Sequence, residues 1–482
     1  MLFSSPAFVL GFLPLCLAGF FLLGQWAGGR AALAWLLGAS FFFYGWWNPA
    51  FVALLAGSVA ANFLLGQRLY SRGGRVWLAI GVGGNLAVLG WFKYAGFLAA
   101  IALGPVAPQW DIVLPLAISF FTFQQIMFLV DSYRRDRTPT TFVPYATFVA
   151  FFPHLIAGPI VRPGEILPQL AAPDLAQPRD ENLSEGALRF LLGLAKKLVL
   201  ADSFAAFADP GFNAAAAGQN LSLLEAWAAV LAYSLQLYFD FSGYSDMAIG
   251  LARVMNVRFP ENFNSPYQAR DIADFWRRWH ITLSRFLRDY LYIPLGGNRH
   301  GAPRRWVNLM ITMLLGGLWH GAAWNFVIWG GLHGFFLAVH AAYARHTRAL
   351  PGPVAHALTL LCVILAWVPF RAADLGTAAN IWAAMAGLHG FLVPRMIIDL
   401  WPALSVIATP VAVLPWLGDA RTLSLPEAIL CLGLGWAIVL LLPNIHAMSP
   451  RARLGALTAG FALTVQALLL APHATPFLYF RF

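Results

Sequence analysis

Apolar segments long enough to cross a lipid bilayer recur along the whole of this 482-residue chain. Crossing a hydrocarbon core about 30 Å thick takes about 20 mainly apolar residues in a helix. The composition agrees, because 60% of the residues are hydrophobic and only 11% are charged, whereas a soluble domain carries about 25% charged residues. A helix satisfies its backbone hydrogen bonds within one segment, as lipid requires. The sequence therefore predicts an all-α polytopic membrane protein.

The apolar segments predict about eleven or twelve crossings. They fall at about 5–24, 31–47, 50–66, 77–103, 112–131, 188–209, 221–252, from 306 onward, 328–346, 353–370, 424–443 and 454–471. Residues 376–416 alternate proline, glycine and short apolar runs, and this pattern assigns no topology to them.

One further apolar segment, 140–163, is interrupted by Pro153, Gly158 and Pro159. Proline removes a helical hydrogen bond and breaks the helix. A broken backbone at membrane depth has to be buried in protein or line a cavity. The segment is therefore predicted to be re-entrant, with His154 either at a cavity wall or packed and hydrogen-bonded.

The basic residues predict the orientation. Clusters at Arg30, 68–75 and 134–137 alternate with loops that lack basic residues, and such clusters mark the cytoplasmic side. The N-terminus then lies outside, the basic residues at 345–348 and 451–453 lie inside, and the C-terminus lies outside. These loops also account for the net charge of +10, so the charge does not indicate a nucleic-acid partner.

Most residues capable of chemistry fall within 236–340. Asp240 and Asp246 lie in an apolar segment, where carboxylates are functional candidates by default. The alternative is that they bond neighbouring helices or pair with arginines further along the chain. Lys196 and Lys197 also interrupt an apolar segment, and we expect them to face a wet cavity or to extend to the membrane surface.

A basic block occupies 266–305, with eight arginines, three aspartates and no lysine. Arginine binds phosphate through two parallel hydrogen bonds, so a phosphorylated donor such as coenzyme A could dock there. The candidate donor contacts are Arg277, Arg278, Arg285 and Arg288. The alternative is an interfacial helix on anionic lipid, and Trp276 and Trp279 are expected at the membrane interface.

The next helix is predicted to start near Trp306, which puts His320 fourteen residues along it. At about 1.5 Å per residue, His320 lies roughly 20 Å from the cytoplasmic boundary. Gly317 and Gly321 are expected to leave the backbone around it open. Histidine is the commonest general base, so His320 is a candidate catalytic residue. On a continuous helix His333 would lie about 220° away, nearly on the opposite face.

The absence of familiar motifs excludes several classes of soluble enzyme. The sequence has no phosphate-binding P-loop, no G-x-S-x-G and no H-E-x-x-H. Its three cysteines are scattered, which predicts no disulfide framework and no metal site. Histidines, carboxylates and arginines around a membrane cavity suit acyl transfer. The same residues could serve a proton-coupled transporter or flippase.

Seven stretches resemble the membrane-bound O-acyltransferase (MBOAT) family, within its AlgI-like branch of polysaccharide O-acetyltransferases. They are W-F-K-Y at 91–94, L-P-L-A-I-S-F-F-T-F-Q at 114–124, F-P-H-L-I-A-G-P-I-V-R at 152–162, Y-F-D-F-S-G-Y-S-D-M-A-I-G at 238–250, N-F-N-S-P-Y at 262–267, F-W-R-R-W-H at 275–280 and L-W-H-G at 318–321. The resemblance is strongest over about 85–345, and it implies one integral membrane domain over 1–482.

The resemblance implies a ring of tilted helices around a funnel that opens to the cytoplasm, in a bacterial inner membrane with both termini periplasmic. His320 matches the family's invariant histidine, and His280 matches its second active-site position. The supporting candidates are Asp240, Asp246, Trp319, Asn325 and His333.

The implied activity is O-acyl transfer with acetyl-CoA as donor and no permanently bound cofactor. The implied partner is a periplasmic protein of the SGNH type, similar to AlgJ or AlgX, which modifies a polysaccharide such as alginate. Peptidoglycan or cellulose O-acetylation remains open. So does teichoic-acid D-alanyl transfer from a carrier protein.

Overall fold

The computed structural model describes residues 1–108, 110–346, 350–412, 414–415, 425–458, 460 and 477–478. These residues are helical almost throughout and include only two short strands. Five of their helices are long and apolar enough to cross a membrane: Ala7–Ala27, Ala50–Arg72, Arg75–Val106, Trp324–Ala344 and Gly352–Arg371. The prediction of an all-α polytopic membrane protein is confirmed. The span predicted at 454–471 lies largely outside the described residues, and Arg348 lies wholly outside them.

The described residues form two compact units. The first comprises Met1–Ala195, Ser242–Asn262 and the described residues from Ser449 onward. Its helices are α1 (Leu13–Ala27), α2 (Gly29–Gly45), α3 (Ala50–Arg72), α4 (Arg75–Leu89), α5 (Ala95–Leu103), α6 (Ile118–Arg134), α7 (Phe142–Ala150), α8 (Phe152–Leu155), α9 (Pro163–Leu170) and α10 (Asp180–Ala195).

The second unit comprises Lys196–Phe241 and the described residues of Phe263–Met448. Its helices are α11 (Asp202–Ala216), α12 (Leu223–Val254), α13 (Ile272–Arg278), α14 (Ile281–Leu287), α15 (Gly301–His320), α16 (Trp324–His346), α17 (Gly352–Arg371), α18 (Leu375–Met385), α19 (Arg395–Leu400) and α20 (Leu425–Leu441). From Ser242 onward, α12 belongs to the first unit. Strands β1 (Leu392–Pro394) and β2 (Thr409–Val411) pair in parallel.

The broken segment of the first unit is confirmed. Helix α7 ends before Phe151, whose ψ of 108° is not helical, and α8 is a single turn that contains Pro153. His154 is fully buried, and its Nδ1 lies 2.6 Å from Nε2 of Gln124. The structure thus supports a packed, hydrogen-bonded histidine and not one at a cavity wall.

The span predicted from residue 112 begins later, at Ile118 of α6. Pro115 lacks the backbone N–H that a helix needs, and Ala117 adopts a left-handed conformation with φ of 65°. Apolar composition therefore overestimated the helix by about two turns.

In the second unit, α15 and α16 form an antiparallel hairpin with close backbone contact. A Cβ on Gly317 would lie 2.2 Å from the carbonyl oxygen of Phe326, and one on Gly330 would lie 2.2 Å from that of Met313. Small residues allow membrane helices to approach in this way. These glycines therefore serve helix packing, and the prediction of open backbone around His320 is wrong.

Candidate active site

His320 is the last residue of α15, which begins at Gly301 and not near Trp306 as predicted. The backbone then becomes extended at Gly321, with φ of −163° and ψ of 150°. The imidazole lies edge-on to the rings of Trp319, Trp329 and Phe370, at centroid distances of 4.9, 5.0 and 5.2 Å. His320 keeps 6% of its surface exposed, so it is held by aromatic rings without being fully sealed.

His280 lies in the turn between α13 and α14. It adopts a left-handed conformation with φ of 41° and ψ of 53°, which is uncommon for a residue other than glycine. Such a conformation costs about 1–3 kcal/mol and persists where surrounding contacts enforce it. The turn directs the ring inward, where it is 1% exposed and lies 4.8 Å from the ring of Phe241.

Trp319 contacts both histidines. Its ring centroid lies 6.4 Å from that of His280 and 4.9 Å from that of His320. The indole is 4% exposed. The two histidines are forty residues apart in the sequence, and the fold brings both into contact with the side chain of Trp319.

His333 lies nearer to this cluster than expected. The estimate that placed it on the opposite face assumed one continuous helix, and that assumption is wrong. The chain turns back after His320, so His333 follows Trp329 on α16, with 5.0 Å between their ring centroids. Trp329 itself contacts His320 at 5.0 Å. His333 is fully buried, and its Nδ1 accepts a hydrogen bond from Nε1 of Trp276 at 3.3 Å.

Trp276 and Trp279 are not interfacial residues, contrary to the prediction. They are 8% and 4% exposed. Trp279 packs against Trp367 at a centroid distance of 4.9 Å, and Phe275 stacks on Trp279 at 5.7 Å. The basic block is therefore a set of short helices with an aromatic interior and not one amphipathic surface helix.

Asp240 forms a buried ion pair with a lysine that precedes it in the chain. Its Oδ1 lies 3.0 Å from Nζ of Lys197, and both side chains are 3% exposed. Lys197 also lies 2.6 Å from Asp202. Pairing with a neighbouring helix is thus confirmed for Asp240. The wet environment expected for Lys197 is also wrong.

Asp246 belongs to the first unit and has its own partner. Its Oδ1 lies 2.9 Å from Nη2 of Arg189, and the same nitrogen lies 2.5 Å from Glu261. One arginine thus bridges two carboxylates. Asp246 therefore also bonds a neighbouring helix.

Asn325 fastens the start of α16 to the end of α17. Its Nδ2 donates to the carbonyl oxygens of Pro369 and Ala372, at 3.2 and 2.9 Å. The last carbonyls of a helix have no partner within the helix, so this amide satisfies groups that would otherwise remain unbonded. The contact also fixes Phe370, which packs against His320.

The four candidate donor arginines differ in exposure. The side chains of Arg277 and Arg288 are 65% and 62% exposed, and that of Arg278 is 31% exposed. Arg278 lies 2.9 Å from Asp274, and Arg288 lies 2.7 Å from Asp289. Arg285 is half-buried on α14. Arg277 and Arg288 can therefore reach a phosphate most directly.

A helical membrane fold in which two histidine rings pack against the indole of one tryptophan fits the class of membrane-embedded acyl-transfer enzymes. Comparison with known families agrees, since the model of the membrane-bound O-acyltransferase family matches residues 108–369, more than half of the chain. The chain belongs to the MBOAT family and is an O-acyltransferase.

Three similar proteins narrow the kind of O-acyltransferase that the chain resembles. The chain is 43% identical to the peptidoglycan O-acetyltransferase of Helicobacter pylori, over 81% of this chain and 80% of that protein. It is 45% identical to the probable alginate O-acetylase AlgI of Pseudomonas putida, over 80% of each chain. It is 29% identical to the teichoic acid D-alanyltransferase of Streptococcus thermophilus, over 49% of this chain and 59% of that protein. These similarities support a membrane O-acetyltransferase.

Proposed function

We propose that this protein takes an acetyl group from cytoplasmic acetyl-CoA and passes it across the bacterial inner membrane, for O-acetylation of an exported polysaccharide such as alginate. A periplasmic partner of the SGNH type would complete the transfer to the polymer. The observation that supports the proposal is that the rings of His320 and His280 both lie against the indole of Trp319.

The proposed chemistry needs one proton acceptor beside the thioester. Neutral His320 accepts the proton of the acceptor hydroxyl as the hydroxyl oxygen attacks the acetyl carbonyl carbon. The carbon–sulfur bond breaks, and the proton passes to the departing sulfur, so that coenzyme A leaves as its thiol. His280 positions the reacting groups beside the indole of Trp319. The aromatic rings around His320 limit the access of water, which would otherwise hydrolyse the thioester.

The donor's phosphates would bind at the basic block. Arg277 and Arg288 carry exposed guanidinium groups, which match phosphate oxygens in pairs. Their acidic neighbours hold the side chains near one orientation. A carrier-protein thioester, the donor of the D-alanyl alternative, also carries a phosphate, so these arginines do not distinguish the two donors.

Alginate and peptidoglycan are the two acceptors to test first, because relatives named for alginate and for peptidoglycan are almost equally similar to this chain. The chain would be expressed, together with a periplasmic partner of the SGNH type, in bacteria that lack their own O-acetyltransferases. Ester-linked acetate would be measured on secreted alginate and on peptidoglycan. Acetate on neither polymer, in cells that hold the protein in their membrane, would contradict the proposal.

Substitution of His320, compared with substitution of a control histidine, tests the mechanism. A general base typically contributes about 10²–10⁴-fold to the rate, so we expect His320→Ala to lower acetyl transfer by that factor. Inverted membrane vesicles expose the cytoplasmic face to radiolabelled acetyl-CoA and allow the rate to be measured. His389→Ala, which removes a partly exposed histidine of the segment after α18, should retain the full rate. Transfer that survives in His320→Ala would remove this residue from its assigned role.

A further inference from the structure

We propose that the hydrogen bond between Trp276 and His333 is a clamp that holds the segment bearing His280 against the hairpin bearing His320. His333 would then be a positioning residue that acts through its Nδ1 atom. This inference rests on the proposed function, since it assigns a role beside the same two histidines.

The geometry fixes the chemical state of the pair. Nε1 of Trp276 lies 3.3 Å from Nδ1 of His333, and the two rings meet edge-on with 5.1 Å between centroids. An indole nitrogen can only donate, so Nδ1 of His333 has to accept. The imidazole is therefore neutral with its proton on Nε2, and Nε2 has no hydrogen-bond partner among the described residues.

The two ends of the bond lie close to the two candidate catalytic residues. Trp276 precedes His280 by four residues. His333 follows Trp329 by four residues on α16, which places both on one face of the helix. Trp329 contacts His320 with 5.0 Å between ring centroids. The bond thus connects the segment that carries His280 with the hairpin that carries His320, where Trp329 lies between His333 and His320.

The segment that carries His280 needs such a contact. Helices α13 and α14 have seven residues each, and isolated helices shorter than about 12 residues are marginal. Asp271 caps the start of α13 by accepting a hydrogen bond from the N–H of Asp274. The other end of α13 passes directly into the left-handed turn at His280. The position of this turn therefore depends on what α13 packs against.

Packing alone does not explain a polar pair at this place. His333 is 0% exposed, and Phe275 stacks on it with an interplanar angle of 7° and 6.1 Å between centroids. A phenyl ring would fill the same space without the cost of burying polar nitrogen. Unlike ring packing, a hydrogen bond also fixes direction, because it weakens steeply as its angle departs from linear.

Two substitutions at His333 separate its two nitrogens. In His333→Asn the side-chain oxygen takes the place of Nδ1 and can accept from Trp276. In His333→Gln a polar atom reaches the place of Nε2, and the acceptor at Nδ1 is lost. Loss of a buried hydrogen bond worth about 1 kcal/mol lowers a rate about fivefold. With radiolabelled acetyl-CoA and vesicles, we expect His333→Gln to lower kcat about fivefold with an unchanged KM, and His333→Asn to restore most of it.

Trp276→Phe tests the donor, since it removes the N–H and keeps an aromatic ring. We expect it to match His333→Gln, and the double variant to be no slower than either single variant, because partners in one bond are not additive. Trp227→Phe is the matched control. It removes an indole hydrogen bond of 3.0 Å to the carbonyl oxygen of Met385 and should leave kcat unchanged. Equal loss in His333→Asn and His333→Gln, or additive losses in the double variant, would overturn the clamp.

Hydrogen exchange gives a readout that does not depend on the reaction. Amides of 272–287 should exchange faster in Trp276→Phe and His333→Gln than in the unaltered protein, and His333→Asn should restore their protection. Unchanged exchange in all three variants would reject the clamp. Should the proposed function fail, with transfer surviving in His320→Ala, the exchange pattern would still decide whether the bond holds α13 in place.

Discussion

Lys197 neutralises charge inside the second unit, where it pairs with two carboxylates. Its Nζ lies 2.6 Å from Asp202 and 3.0 Å from Asp240. Asp202 is 25% exposed and can be hydrated, whereas Asp240 is only 3% exposed. Removing the lysine would therefore leave Asp240 as a buried carboxylate without its cation.

We expect Lys197→Met to lower the free energy of unfolding in micelles by about 3–5 kcal/mol, the usual cost of breaking a buried pair from one side. The double variant Lys197→Met with Asp240→Leu should recover most of this loss, because no buried charge remains unpaired. Arg179→Met is the control. It breaks an ion pair with Asp174 in which both side chains are nearly half exposed, and such pairs contribute about 0–1 kcal/mol. A loss in the double variant as large as in the single one would contradict this account.

At the scale of elements, the α15–α16 hairpin sets the position of His320. Its closest approach is at Gly317, where an added Cβ would meet backbone and not a movable side chain. At Gly331 the nearest atom is a leucine methyl at 3.5 Å, an ordinary contact. The same substitution at these two glycines therefore has opposite steric consequences.

Gly317→Ala should separate the two helices and displace His320. We expect lower thermal stability and loss of acetyl transfer, although alanine favours a helix by about 1 kcal/mol over glycine. Gly331→Ala receives the same benefit without the clash, so its stability should stay equal or rise. Thermal unfolding of both purified variants, with acetyl transfer in vesicles, checks this contrast. Full activity in Gly317→Ala would show that the hairpin can widen without moving the site.

The same hairpin shows what a sequence can and cannot predict. Apolar runs located both of its helices. Separate crossings were predicted from 306 onward and at 328–346, but no proline marks the turn at 321–323, so the reversal directly after His320 was not located. The face assigned to His333 was wrong for that reason. The aromatic pocket of Trp329, Trp367 and Phe370 was missed too, because apolar residues in a membrane protein do not reveal whether they face lipid or protein.

Polar partners were hard to predict for a related reason. The sequence singled out Asp240 and Lys197, since each interrupts an apolar segment. It did not pair them, because ion pairs join residues that are distant in the chain, and helical spacing reports only neighbours three or four residues apart. Trp276 looked interfacial from its basic neighbours, but tertiary packing buried it. His320 was predicted from its depth and from the resemblance, and His280 from the resemblance alone. Their contacts with Trp319 emerged only in the fold.

At the scale of the whole molecule, the distribution of basic residues predicts how the chain lies in the membrane. Arg68, Arg72 and Arg75 cluster at the turn between α3 and α4. The segment Arg75–Val106 leads from that turn to an uncharged loop. The positive-inside rule places the turn in the cytoplasm and the loop outside. This predicted orientation would let the proposed cytoplasmic donor and the proposed periplasmic partner meet one protein from opposite sides.

Cysteines at the two ends of this segment test the orientation directly. Ser71 and Val106 are both exposed, and the three native cysteines would first be replaced by alanine. In spheroplasts, a maleimide that cannot cross membranes should label Val106→Cys, whereas Ser71→Cys should be labelled only after lysis. The opposite pattern would place the N-terminus in the cytoplasm. It would also turn the side of the protein that carries the basic clusters toward the periplasm. Acetyl-CoA is absent there, so the proposed reaction would lose its donor.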